Sequence, residues 1–210
     1  MTPSYADVVA AMIQLHEWRK AFNGSLLGRG FDPYRPDEEH QYPEAYALWG
    51  SGYVSLYRLT GVSDYLSTAV GAADWLLDHP SPGYRNFSWG LPWSWEKWQT
   101  PNTLSYLITT VFAGELLLKL YEVTGKSAYL DSAQSVASWI EEENGGKKNI
   151  SGRWLYYANF APLRFPIVNV NAKASGYFAK LYGATRNVRY QEPCMQIVRW
   201  VLEQENQNGR

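Results

Sequence analysis

Apolar and polar positions along this chain follow a helical period, and one block of pattern comes round three times. Its fixed points are Tyr57–Tyr65–Trp75, Tyr121–Tyr129–Trp139 and Tyr182–Tyr190–Trp200, stepping by 8 and then 10 residues in each copy. A repeat of this length is the mark of a stacked or circular array of supersecondary units. Each copy predicts an apolar helix, a tight turn and an amphipathic helix, over 44–78, 103–143 and 171–205. The leading helices are expected at 44–60, 103–123 and 172–184. A further helix over 3–22 comes first, with Val8, Val9, Met12, Ile13, Leu15 and Trp18 at helical spacing.

Gly50 and Gly52 lie inside the first leading helix, where each glycine costs about 1 kcal/mol relative to alanine. Both therefore predict close approach of another backbone. The positions equivalent to Gly50 are Gly114 and Ser175, which are also small, so the seam should recur at one level of each hairpin. Linkers inside the repeats are short, whereas those between repeats are long and rich in aromatics, Gly and Pro. In an antiparallel array all the long loops must share one end with the N-termini of the leading helices. Those N-termini offer free N–H groups and the positive ends of helix dipoles. The segment 28–43 reads as a loop, and a short β-hairpin is expected within 153–168, pairing Arg153–Tyr157 with Phe165–Val168. The leading helices carry little charge and the second helices more, as for the inner and outer layers of a ring. The fold class is all-α: one domain over 1–210, an incomplete (α/α) toroid of about three and a half helical hairpins.

Composition removes several functions. Net charge is −1 with no basic run, which excludes an electrostatic nucleic-acid footprint. No segment reads as a membrane span or a signal peptide, and the lone Cys194 allows no internal disulfide. A cytoplasmic protein is expected. No phosphate loop, nucleophile elbow or metal-ligand spacing stands out, so neither cofactor nor metal is expected. Ten Trp and sixteen Tyr are many for 210 residues, which suits either core filling or a face for flat, hydroxylated rings.

Several short motifs carry a resemblance: Gly30-Phe31-Asp32-Pro33-Tyr34, Ser81-Pro82-Gly83-Tyr84, Ser88-Trp89-Gly90 with Trp95, Thr100-Pro101-Asn102-Thr103, and Asn169-Val170-Asn171. In this order the chain resembles a family of α/α-toroid proteins from bacterial and archaeal polysaccharide gene clusters, some of which carry an unrelated dehydratase label. That family is related in fold to six-hairpin glycosidases, toroid polysaccharide lyases and uronyl C5-epimerases. The family pattern continues with Gly-x-Trp and Trp-Asp…His-Thr-Gly segments beyond the point matched by Asn208-Gly209-Arg210. The resemblance therefore implies an open ring with an apolar flank, and a homodimer is expected to cover it.

Candidate site residues lie in the long loops. Trp89, Trp93 and Trp95, with Tyr34, are candidates for stacking on sugar rings; the structural alternative is that they pin their own loops. Glu96 is a candidate general acid, with Asp32 or Glu38 as the second carboxylate that glycoside cleavage needs. Arg153 and Arg164, with Asn102, Asn169 and Asn171, are candidates for holding a uronic-acid carboxylate. Tyr157 or His40 would then act as base at the sugar C5 proton. The three Asn residues also suit helix N-caps. The functional expectation is a saccharide-recognising protein acting as lyase, epimerase or hydrolase on an acidic oligo- or polysaccharide. The alternative is a glycan-binding or assembly protein without catalysis. A terpene cyclase-like activity ranks third, since no Asp-rich motif is present.

Overall fold

The computed structural model describes residues 4–23, 26–32, 35–150 and 152–207. Among the described residues, seven α-helices and two small antiparallel hairpins follow in the order α1 (Tyr5–Asn23), β1 (Arg29–Asp32), β2 (Arg35–Gln41), α2 (Pro43–Thr60), α3 (Ser63–Asp78), α4 (Leu107–Thr124), α5 (Ser127–Trp139), β3 (Gly146–Asn149), β4 (Gly152–Leu155), α6 (Val168–Thr185) and α7 (Gln191–Gln207). Each leading helix packs on the helix that follows it, and α2 neighbours α4 as α4 neighbours α6. The result is an inner row of α2, α4 and α6 backed by an outer row of α3, α5 and α7, part of an α/α toroid. The central helix α4 is apolar almost all round and buries Leu107, Val111, Leu116, Leu117, Leu118 and Leu120. A helix with neighbours on nearly every side needs no polar face.

The repeat is reproduced bond by bond at the short turns. The N–H groups of Gly61, Gly125 and Arg186 donate to the carbonyls of Tyr57, Tyr121 and Tyr182, all at 2.8 Å. Thr60, Thr124 and Thr185 donate their hydroxyls to Leu56, Leu120 and Leu181 carbonyls at 2.7–2.8 Å. The same hydroxyls accept from the N–H of Val62, Lys126 and Asn187. Residues Gly61, Gly125 and Arg186 occupy left-handed backbone at φ 72°, 67° and 55°. That conformation reverses the chain after a helix, and glycine adopts it without the Cβ clash.

A small-residue seam forms at Gly50 and Gly114, although side chains rather than the expected backbone approach there. A Cβ on Gly50 would lie 2.6 Å from Leu116, and one on Gly114 would lie 2.7 Å from the Tyr177 ring. Ser175 occupies the third position, buried. Gly52 does not belong to the seam: nothing lies within 4 Å of its hypothetical Cβ.

Two expectations about loops are corrected. The segment read as a loop holds the β1–β2 hairpin, with Arg29 opposite Gln41 and a register shift between Phe31 and Asp32. Its charged sequence hides a strand because neither face is apolar. The later hairpin pairs Gly146–Asn149 with Gly152–Leu155, not with Phe165–Val168. Phe165 precedes α6, which starts at Val168, four residues earlier than its expected start at 172. Helix α4 begins at Leu107, later than its expected start at 103.

Two substitutions test this backbone reading. Arg186→Gly should stabilise the fold by about 1 kcal/mol, by relieving a left-handed non-glycine residue, and should raise the Tm in a thermal melt. Gly114→Ala should destabilise it by about 1–3 kcal/mol through overpacking against Tyr177, whereas Gly52→Ala should be neutral or stabilising by up to about 1 kcal/mol.

Candidate functional site

The first long loop is tied down by the motif Ser88-Trp89-Gly90. Trp89 is fully buried, and its indole N–H donates to the Leu76 carbonyl at 2.9 Å. Its backbone N–H donates to the Thr110 hydroxyl, which in turn donates to the Trp89 carbonyl, both at 3.0 Å. The Ser105 hydroxyl donates to that of Ser88 at 2.8 Å, and Gly90 bridges to Ser105. This loop is therefore pinned to the start of α4 by its own aromatic residue, and Trp89 has no surface to offer a sugar. The stacking role expected of it is corrected to a core role.

Pinning the loop places Gly90 and Leu91 over the N-termini of α2 and α4. Between them lies a cleft of ≈ 320 Å³ lined by Tyr42, Pro43, Glu44, Ala45, Leu48, Gly90, Leu91 and Thr109. That volume is at the lower end for small-molecule sites. One wall continues into an aromatic cluster: the rings of Tyr42 and Trp93 lie 5.0 Å apart edge-on, and His40 lies 5.7 Å from Trp93. The Tyr42 hydroxyl donates to the Phe31 carbonyl at 2.6 Å, which fixes the ring against β1.

Glu44 is the carboxylate of this cleft, and the sequence reading did not single it out. It sits in the first turn of α2, where an acidic residue ordinarily serves the helix dipole. Burial lifts its carboxyl above the ordinary range, and the Thr109 hydroxyl, donating at 3.3 Å, only partly offsets this. Tyr157 is close enough for the Glu44 charge to act on it. Its hydroxyl is pushed up by burial first, then by Tyr106 and Glu44. Tyr157 therefore keeps its proton and fits a donor better than the base expected of it.

The other expected residues sort by burial. Trp93 packs edge-on against Tyr42 beside the cleft and is not among the residues that line it. Trp95 packs edge-on with Trp98 at 6.3 Å in a tight turn closed by Thr100, outside the cleft lining. Glu96 is exposed in that turn and lines a separate depression with Ser94, Gln99, Thr100 and Pro101. It lacks the apolar setting a general acid needs. Asn171 is fully buried: its Oδ1 accepts from the Leu155 N–H at 2.6 Å and its amide donates to the Leu155 and Ile167 carbonyls. It holds β4 to α6 and has no room for a ligand. Asn102 and Asn169 are exposed, and neither is the N-cap of its helix, since Tyr106 and Ile167 hold those positions. The Arg153 side chain is 13% exposed and lies 3.9 Å from Glu141. It is committed to that pairing, and a carboxylate ligand could reach little of it. Arg164 is exposed, with Nε donating to Asn159 at 2.9 Å. Tyr34 lies outside the described residues.

Asp32, Glu38 and His40 do come together, although not with Glu96. Alternation puts Glu38 and His40 on one face of β2, with His40 opposite Gly30, and Asp32, beyond the register shift after Phe31, brings its carboxylate to them. Arg29, Phe31 and Glu39 share the other, where Arg29 pairs with Glu39 at 2.8 Å. One donor atom from each of Asp32, Glu38 and His40 lies within 4.8 Å of the others.

No protein-family model matches the chain, and no curated protein matches it in sequence. Solved structures do match in fold. The Lin0763 protein of Listeria innocua superposes with a TM-score of 0.70 at 17% identity, over 95% of this chain and 53% of its own. A cellobiose 2-epimerase from Bacillus thermoamylovorans superposes at 0.65 and 16%, over 91% of this chain and 54% of its own. A GH76 alpha-mannanase from Bacteroides thetaiotaomicron superposes at 0.61 and 18%, over 90% and 56%. The shared fold is the α/α toroid, of which the described residues of this chain show three helical hairpins and one further helix. The chain spans about half the length of these structures.

Glu44 gives a signed pH prediction. The folded state holds its proton more tightly than the unfolded chain. The resulting stability is whole below the ordinary carboxyl pKa and is lost as pH rises through the lifted value. Glu44→Gln keeps an acceptor for Thr109 but removes the buried charge. It should melt higher than the wild type at pH 8, and the two should converge near pH 4 when followed by circular dichroism.

Proposed function

We propose that this α/α-toroid unit recognises a saccharide in the cleft between β2, the N-termini of α2 and α4, and the loop over Gly90–Trp93. The observation that carries the reading is Glu44: a half-buried carboxyl with a lifted pKa, set beside an aromatic wall. Aromatic faces suit the apolar faces of sugar rings, and a carboxyl titrating closer to neutrality suits proton transfer. The fold neighbours include a mannanase and an epimerase, which supports a carbohydrate ligand by analogy of fold alone.

Among the residues lining the cleft, Glu44 is the one carboxylate. Glycoside hydrolysis ordinarily needs two, so proton transfer of the epimerase or lyase kind is favoured over hydrolysis. Glu44 would exchange the proton, and neutral Tyr157 would donate to the developing oxyanion. An acidic saccharide is favoured by the inner face of α4 and α6. There Lys173 and Lys180 both pair with buried Glu115, and Lys119 lies within its field, leaving an excess of positive charge. A terpene cyclase-like activity lacks its acidic cluster among the residues lining the cleft.

A homodimer is part of this reading. The inner row leaves two stripes open: Leu48, Gly52, Ser55 and Leu59 on α2, and Val168, Ala172, Gly176, Ala179 and Gly183 on α6. Leu48 and Leu59 are 47% and 45% exposed. A second copy packing there would cover apolar surface and close the cleft edge at Leu48. Sedimentation should show a dimer that Leu59→Glu converts to monomer; a wild-type monomer at high concentration refutes the dimer.

The activity test is incubation with acidic and neutral oligosaccharides in heavy water, followed by mass spectrometry. Deuterium uptake without cleavage marks an epimerase, and cleavage leaving an unsaturated end marks a lyase. Glu44→Gln should abolish either. Binding without turnover, weakened by Trp93→Ala, would indicate a glycan-binding protein. Cleavage with added water would point to a hydrolase, and no interaction with any saccharide refutes the reading.

A further inference from the structure

We propose that Asp32, Glu38 and His40 form a binding site for a divalent transition-metal ion, with Zn²⁺ the best-suited ion. The argument begins with the strand pair. Positions two apart on a strand point to one side, which puts Glu38 and His40 together, and Asp32, beyond the register shift that pairs it with Arg35, brings its carboxylate within 4.8 Å of both. Glu38 Oε2 lies 3.6 Å from His40 Nε2. That is too long for a hydrogen bond. It is the separation expected of two donors on one ion, since ligands roughly 2.0–2.2 Å from a metal stand about 3–4 Å apart.

A second observation is independent of the carboxylates. His40 Nε2 is buried and makes no hydrogen bond. Leaving a buried polar atom unsatisfied is costly, and a metal ion aligned with the nitrogen lone pair would remove that cost. The His40 side chain is 20% exposed and that of Glu38 is 46% exposed. The histidine is therefore held in place, and the three donors, all within 4.8 Å of one another, would draw together on one ion. Asp32, only 3% exposed, supplies the inner carboxylate.

The donor set selects the ion. One imidazole with two carboxylates is a poor match for Mg²⁺ or Ca²⁺, which take oxygen ligands, and a good one for Zn²⁺, which outcompetes Mn²⁺ and Fe²⁺ at such sites. Three protein ligands leave a coordination position open, as catalytic rather than structural zinc sites do. The site stands on the hairpin geometry alone and does not depend on the saccharide reading.

Isothermal titration of the tag-free full chain with Zn²⁺ tests the proposal. One saturable equivalent is expected. His40→Ala and Asp32→Asn should each weaken it at least about tenfold, and His79→Ala should leave it unchanged, since His79 lies at the end of α3, outside the cluster. Cu²⁺ provides a check of place. Held at His40, it should quench the fluorescence of Trp93, whose ring lies 5.7 Å from the imidazole, and Trp93→Phe should lose that quenching. Absence of saturable binding, binding equal in His40→Ala, or quenching undiminished in Trp93→Phe would each overturn the site.

Discussion

The contact between Gly114 and Tyr177 sets the spacing of the inner helices. The ring of Tyr177 lies where a Cβ on Gly114 would stand, and its hydroxyl donates to the Ala133 carbonyl at 2.6 Å. One side chain of α6 thus reaches past α4 to the outer helix α5 and is wholly buried on the way. Gly50 and Leu116 repeat the close approach between α2 and α4. Because the hairpins meet through small residues, a shift in one leading helix must be met by its neighbours. Interiors packed to crystal-like density tolerate little of that.

From this spacing the site follows. The inner helices start at one end of the array, and the long loops return to the same end. Trp89 fastens the first of those loops to Leu76 and Thr110. The fastening puts Gly90 and Leu91 into the same cleft as Glu44, whose carboxyl is lifted by burial.

Much of the fold was legible because the repeat is carried by large residues at fixed spacing. Tyr57, Tyr121 and Tyr182 hold equivalent carbonyls in the three turns, so the hairpins could be aligned from those letters. The β1–β2 hairpin was not legible, since Arg-Pro-Asp-Glu-Glu-His-Gln has no apolar face to betray its period. The site was legible in part. Asp32, Glu38 and His40 come together because one hairpin carries all three, whereas Glu96 of the next loop stays apart and Trp93 only borders the cleft. Glu44 escaped notice because an acid in a first helical turn has an ordinary explanation; only the loop above it, 46 residues on, makes it unusual. Asn171 was misread for the opposite reason: an amide at a helix start suits a cap or a ligand contact, but β4 lies across it and takes all its bonding.

The account rests most heavily on the protonation of Glu44. A direct measure is the side-chain carboxyl titration followed by carbon-13 NMR in selectively labelled protein. The account predicts a midpoint above the ordinary glutamate range that moves again when a saccharide fills the cleft. A midpoint at or below that range, unchanged by any saccharide, would contradict it.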